Sequence, residues 1–96
     1  MPAYLIVDQL EVTDPEAMKT YAAGVNDTIR KYGGRGIVRG GAFEVLEGTW
    51  TPKRVVVLEF ADMATLRRWY NSPEYAPLLK IRLASSKSNV IAVEGA

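Results

Sequence analysis

The sequence predicts an α+β domain of the ferredoxin-like type, with the element order β-α-β-β-α-β and the second helix split in two. Strand-like and helical segments follow one another in that order, and glycine pairs and Asn71-Ser72-Pro73 mark their ends. The pattern predicts one four-stranded antiparallel sheet with helices on one face. Right-handed crossovers place the first and third strands at its centre. No linker divides the chain, so residues 1–96 are predicted to form a single domain.

The first strand is predicted over residues 3–12, whose apolar side chains on both faces are typical of a strand covered on both sides. The first helix is predicted to be capped by Thr13, because Pro15 suits a first turn and Glu16 completes a capping box. It ends at Gly33-Gly34, since glycine enters the left-handed region with little strain.

Two further strands form a predicted hairpin. The first of them extends from about Gly36 to Glu47, with a bulge or a close backbone approach at Gly40-Gly41. A connection of about five residues, GTWTP, leads to KRVVVLEF, which is typical of a central strand.

The split second helix starts at its cap, Asp62, and carries Trp69 and Tyr70 on its inner side. Ser72-Pro73-Glu74 is predicted to cap its second piece, where Pro77 lies near the first turn. The segment SNVIAVEG closes the chain as the fourth strand.

Composition excludes several classes of function. Twelve Lys and Arg against eleven Asp and Glu leave a net charge of +1, so we expect neither nucleic acid nor a membrane surface as a partner. The absence of a membrane-length apolar run, a signal peptide and cysteine suits a cytoplasmic protein. Without His or Cys, we expect no metal site, and a Ser-His-Asp or Cys-His mechanism is excluded.

The apolar residues on both faces of the predicted sheet indicate a homodimer. Helices cover only one face, yet the first, third and fourth strands supply apolar side chains to both. Covering some 800 Å² per partner at about 25 cal/mol per Å² contributes on the order of 15–20 kcal/mol for each partner before association costs. The alternative is a monomer with a mixed second face, which Gln9, Glu11 and Glu94 favour.

Several segments together resemble the family catalogued as domain of unknown function 1330. The resemblance extends from about Ala3 to Gly95 and is carried by AYLIVDQLEVTDPEAMKTY, YGGRGIVRGG, EVLEG, VVVLEF and WYNSPEYAPLLKIRLASS. It implies a dimeric α/β barrel, in which two ferredoxin-like subunits join their sheets. Related branches include cofactor-independent monooxygenases, muconolactone isomerase, chlorite dismutase and stress-responsive barrels, but a shared fold does not transfer chemistry.

The segment RRWYNSPEYAPLLKIR, residues 67–82, admits two interpretations. Its aromatic residues fill the core at a corner between helices, with Ser72 as a helix cap. Alternatively, Tyr70, Tyr75 and Arg82 line a cleft between helices and sheet, with phenol hydroxyls as polar groups in an apolar pocket. The candidate ligand-binding residues are Arg39, Trp69, Tyr70, Ser72, Tyr75 and Arg82.

Arg39 has room to fold inward over the neighbouring glycines. If Gly41 lies opposite Glu59, Arg39 and Glu59 are diagonal neighbours that form a structural ion pair. Alternatively, Arg39 binds a substrate carboxylate or enolate. The candidate catalytic bases are then Asp8, which lies within the first strand, and Glu59, with the pKa raised by burial.

Two hypotheses follow. The first is a cytoplasmic homodimer that binds a small organic acid or phenol between helices and sheet. Its enzymatic version is an isomerase- or monooxygenase-like reaction that requires no cofactor. The second is a non-catalytic dimeric ligand-binding or stress-associated module whose aromatic residues are core.

Overall fold

The computed structural model describes residues 1–96 as one antiparallel four-stranded sheet and three helices. The first and third strands lie at the centre of the sheet and the second and fourth at its edges, which confirms the ferredoxin-like α+β prediction. The elements, in chain order, are β1 Ala3–Val12, α1 Pro15–Lys31, β2 Arg35–Arg39, β3 Val55–Phe60, α2 Met63–Tyr70, α3 Ala76–Ser85 and β4 Ser86–Glu94. None of the helices is both long and apolar enough to cross a membrane.

The helix ends follow the predicted chemistry with two shifts. Asp14, not Thr13, caps α1, because its carboxylate accepts from the Ala17 amide at 3.2 Å. Asp62 caps α2 as predicted, accepting from the Thr65 amide at 2.7 Å. Helix α3 begins at Ala76, one turn later than predicted, and the Ser72 hydroxyl closes the turn before it.

The predicted strand over residues 36–47 is wrong beyond Arg39. At Gly40 the chain takes a φ of +71°, and the Gly40 amide makes the last bond to β3, at the Val55 carbonyl. The connection to β3 therefore spans residues 40–54 instead of five, and the bulge lies between Gly36 and Val38, not at Gly40-Gly41. The alternation of apolar and polar residues favours a strand, but a strand also needs a neighbouring strand with which to form backbone hydrogen bonds. The chain supplies none there.

We call residues 41–53 the strap. No backbone N–H or C=O group of residues 41–52 hydrogen-bonds within the chain. Two bonds to Asp8 hold its C-terminal end, from the Trp50 indole at 3.0 Å and the Lys53 amide at 2.9 Å.

The two faces of the sheet differ in cover. The face toward the helices carries Ala3, Leu5, Leu58 and Phe60, which form the core together with helical residues such as Trp69. The opposite face carries no helix, and we call it the open face. Its apolar residues include Tyr4, Ile6, Val38, Val55, Val57, Ile91 and Val93.

Candidate functional site

A cavity of about 360 Å³ lies between the helices and the covered face of the sheet. Val7, Val56 and Val90 contribute to its floor from three neighbouring strands, and Val25 lines it from α1. Thirteen of its nineteen lining residues are hydrophobic, so the cavity suits an apolar molecular body.

The charged residues of the cavity are all cations. Arg39, Arg54 and Arg82 line it, and no Asp or Glu does. None of the three takes part in the ion pairs of the chain. Unpaired cations around an apolar space attract an anion, because low-dielectric walls strengthen the field.

Arg82 is the most deeply placed of the three, with 8% of its surface exposed. It lies on α3, two turns after Tyr75, on the side facing the cavity. Burial disfavours its charge, but Tyr75 and Tyr21 beside it stabilise the cation and leave its pKa raised. Arg82 therefore remains a buried cation near phenol oxygens, without a carboxylate.

Two tyrosines form a hydrogen-bonded pair on the cavity wall. The hydroxyls of Tyr21, on α1, and Tyr75, just before α3, lie 2.7 Å apart. Burial, followed by the proximity of Tyr75, raises the pKa of Tyr21 far above its ordinary value, so its phenol stays neutral. The pair thus offers neutral hydroxyls next to the Arg82 cation.

Trp69 packs in the hydrophobic core and also forms part of the cavity wall. It is fully buried, its ring centroid lies 4.1 Å from that of Tyr75, and its indole donates to the Thr28 hydroxyl at 3.0 Å. Tyr70 packs on the same rings, at 6.1 Å from Trp69, but does not line the cavity. Ser72 also lies outside it and accepts from the Tyr75 amide.

Glycines make room for the other two arginines at the edge of the sheet. A Cβ atom on Gly36 would lie 2.7 Å from Nε of Arg39, and one on Gly40 would lie 2.6 Å from Nε of Arg54. Arg39 thus folds over Gly36, four residues before Gly40, and not over the predicted Gly40-Gly41. In the strand register Arg39 lies opposite Val56, whose side chain faces the helices. Arg39 and Arg54 both line the cavity, close to the end of β2 and the start of β3.

Glu59 does not meet Arg39. The register places Arg35 opposite Glu59, and their side chains bond at 2.8 Å. The predicted Arg39–Glu59 pair is therefore wrong, because the bulge and the early end of β2 shift the strand. Glu59 lies opposite Tyr4 in β1, on the open face.

Asp8 also lies away from the cavity. It alternates with Val7 and Gln9, which line the cavity, so its side chain points to the open face. The expected rise in the Asp8 pKa is wrong: bonds from the Lys53 amide and then the Trp50 indole lower it despite burial. Asp8 anchors the strap, and neither proposed base reaches the cavity.

The structure thus brings together Arg39, Trp69, Tyr75 and Arg82 of the predicted site. Sequence reasoning missed Tyr21 and Arg54. A buried Tyr on the apolar stripe of α1 needs a partner for its hydroxyl, and this requirement could have indicated Tyr21.

The Ser88 hydroxyl also lies buried at the cavity without a hydrogen-bond partner. No group of three or more acidic side chains is arranged to hold a metal ion.

Solved structures share this fold over nearly the whole chain. A protein of unknown function from Rhodopseudomonas palustris has a TM-score of 0.77 at 19% identity, covering 99% of this chain and 82% of its own. A dimeric ferredoxin-like protein of unknown function from Jannaschia sp. CCS1 has a TM-score of 0.69 at 18% identity, covering 99% and 100%. SnoaB, a cofactor-independent oxygenase from Streptomyces nogalater, has a TM-score of 0.63 at 14% identity, covering 99% and 92%. At these identities the likeness shows the fold alone.

No curated protein sequence matches the chain. A family model does match, over residues 2–96, and its description is Domain of unknown function (DUF1330). The match covers nearly every residue, in agreement with the resemblance seen in the sequence. The chain therefore belongs to the DUF1330 family.

Proposed function

We propose that the protein is a homodimer in which each subunit binds a small organic acid or phenol in the cavity between helices and sheet. The observation that carries the proposal is Arg82, a buried cation without a carboxylate partner at the wall of an apolar cavity. Burying an unpaired ion costs several kcal/mol. A ligand anion next to the guanidinium offsets that cost.

The size of the cavity favours a small ligand. At about 360 Å³ it falls at the lower end of the range for ligand pockets, roughly 300–1,000 Å³. Arg82 would pair with the anionic group, the Tyr21–Tyr75 hydroxyls would orient it, and the Trp69 ring would pack against the apolar body. Arg39 and Arg54 would bind polar atoms at the other end of the ligand.

The shape of the subunit supports the dimer. Its Cα atoms extend over 37 × 37 × 17 Å, so each broad side exceeds the roughly 800 Å² per partner of a standard interface. The open face is mainly apolar, and Ile91 is 59% exposed on it. The neighbour from Jannaschia is described as dimeric.

The enzymatic version of the proposal is a cofactor-independent oxygenation or isomerisation, for which the fold shared with SnoaB is the support. No carboxylate lines the cavity, so any proton would pass through the Tyr21–Tyr75 pair beside Arg82. Oxygen uptake with an electron-rich phenol tests this version. Uptake that Tyr75→Phe abolishes would favour an enzyme, and ligand binding without turnover would favour the non-catalytic module.

Binding is tested by calorimetry and thermal shift with 4-hydroxybenzoate and related small acids. A ligand that binds only the folded state raises the melting temperature by mass action. Arg82→Met should weaken binding by about 10- to 100-fold, since a hydrogen bond to a charged group contributes roughly 1.5–3 kcal/mol. Arg67→Met, on the exposed side of α2, is the matched control and should change nothing. Equal affinities for both variants would refute the role of Arg82.

A further inference from the structure

A row of three polar side chains crosses the floor of the cavity. In the register of β1 and β4, Gln9 lies opposite Ser88, and on its other side the Gln9 amide donates to the Arg54 carbonyl at 2.8 Å. All three side chains line the cavity, beside Val7 and Val90, which lie two residues further along the same two strands. We call Arg54, Gln9 and Ser88 the polar row. The floor thus changes from apolar to polar within about 7 Å along the strands.

The side chains of the polar row are not used for hydrogen bonding within the subunit. None of the three takes part in a side-chain hydrogen bond, and Arg54 takes part in no ion pair. The Ser88 oxygen is also buried, and buried polar atoms in folded proteins nearly always have a partner. A hydroxyl, a primary amide and a guanidinium can all donate to one carboxylate. The polar row therefore fits a ligand group that accepts several hydrogen bonds.

The cavity has a buried end and an exposed end. Arg82 is buried, whereas Arg39 and Arg54 are exposed. Gln9 and Ser88 are half-buried as whole residues. A ligand whose anionic group pairs with Arg82 therefore has its other end near the polar row, toward the entrance.

A single carboxylate would balance only part of the charge around the cavity. The lining holds three arginines and no acidic side chain, so a ligand with one anionic group leaves two cations without a counter-charge. Gly40 leaves the space that the Arg54 side chain occupies, because a Cβ atom there would lie 2.6 Å from Nε. The excess of cations favours a ligand with more than one anionic group.

We propose that the polar row binds a second carboxylate, so that the ligand is a small dicarboxylic acid with its first carboxylate on Arg82. This inference rests on the proposed function and specifies the acid. Ser88 and Gln9 orient the oxygens of the second carboxylate, and Arg54 and Arg39 supply positive charge at the entrance. Water and salt screen the two exposed arginines, so the half-buried hydrogen bonds determine much of the selectivity.

Three probe acids of similar shape test the inference by calorimetric titration at pH 7. Terephthalate carries two carboxylates at opposite ends of a flat ring, 4-methylbenzoate has a methyl group in place of one of them, and 4-hydroxybenzoate has a neutral hydroxyl there. Terephthalate should bind at least about tenfold more tightly than 4-methylbenzoate, a difference of roughly 1.4 kcal/mol, with 4-hydroxybenzoate in between. The preference should decrease at high salt, since the arginines at the entrance are exposed.

Two variants locate the second carboxylate. Ser88→Ala and Arg54→Met should each weaken terephthalate binding by about fivefold or more and change 4-methylbenzoate binding much less. The affinity for 4-methylbenzoate also shows that each variant still folds and keeps the Arg82 end of the site. Arg67→Met, on the exposed side of α2, is the matched control for Arg54→Met and should change neither affinity.

The outcomes separate this inference from the proposed function. If terephthalate binds no more tightly than 4-methylbenzoate, the dicarboxylic acid is wrong and the proposed function stands. Equal changes for both acids, or no change, in Ser88→Ala and Arg54→Met would overturn the polar row as the place of the second carboxylate. Terephthalate binding that Arg82→Met leaves intact would overturn the placement of the first carboxylate on Arg82. If none of the three acids binds, both the proposed function and this inference are refuted.

Discussion

Arg82 is the residue on which the proposed ligand site depends most. Its side chain is buried and its charge has no acidic partner, although the neighbouring phenols outweigh the effect of burial and leave its pKa raised. A buried cation that stabilised the fold would be expected to have a carboxylate beside it. A buried cation that binds a ligand anion leaves the unliganded protein less stable than the same protein with an apolar residue at that position.

Replacing Arg82 should therefore not weaken the fold. Arg82→Met keeps an unbranched apolar stem and removes the buried charge. The free energy of unfolding should stay the same or rise by about 1 kcal/mol, because an apolar side chain needs no compensation for lost hydration. Urea unfolding without ligand measures the change. A loss of more than about 2 kcal/mol would show that Arg82 stabilises the core.

Gly36 controls the position of another cavity cation. Gly36→Ala would place a Cβ atom 2.7 Å from Nε of Arg39 and so displace the guanidinium. The dissociation constant for 4-hydroxybenzoate should rise about fivefold, a loss of roughly 1 kcal/mol, with little change in stability. The control is Gly41→Ala, where an added Cβ meets nothing within 4 Å. Calorimetric titration of both variants makes the comparison, and unchanged affinity in Gly36→Ala would exclude Arg39 from the site.

Among the elements, the strap is held at its C-terminal end by hydrogen bonds to one carboxylate, that of Asp8. Hydrogen bonds from the Lys53 amide and then the Trp50 indole lower the pKa of Asp8 in the folded protein. A lowered pKa contributes stability that is present above the unfolded value, about 3.9, and is lost as the pH falls through the folded value.

Asp8→Asn should consequently destabilise the protein most at neutral pH. The difference in unfolding free energy from the wild type should shrink below about pH 4, as Asp8 itself becomes protonated. Urea unfolding between pH 7 and pH 3 measures it. Asp27→Asn, on the exposed side of α1, is the control and should have little effect. A difference that does not change with pH would contradict the role of the Asp8 charge.

Most elements could be predicted from local sequence, and the failures in the second strand and its register have one physical cause. Caps, glycine ends and apolar periodicity located β1, β3 and the helices because these features act within a few residues. Residues 41–47 have strand-like alternation but no edge to pair with, so the chain leaves the sheet at Gly40. The register that separates Arg39 from Glu59 depends on that same departure.

At the scale of the whole molecule, the site could be predicted only in part. Residues 67–82 indicated a cleft and supplied Trp69, Tyr75 and Arg82 to its wall. Tyr21 and Arg54 come from distant parts of the chain and join the site through tertiary packing, which local patterns do not report. The alternation of β1 fixes Asp8 on the open face, but only the packed helices show which face holds the cavity.

The central claim is that a second copy covers the open face of the sheet. Sedimentation velocity at micromolar concentration tests it most directly, with Ile91→Asp, on the β4 strand of that face, as the comparison. The wild type should sediment at twice the 10.6 kDa chain mass, and Ile91→Asp should sediment as the single chain. A wild type that remains a single chain at these concentrations would contradict the account.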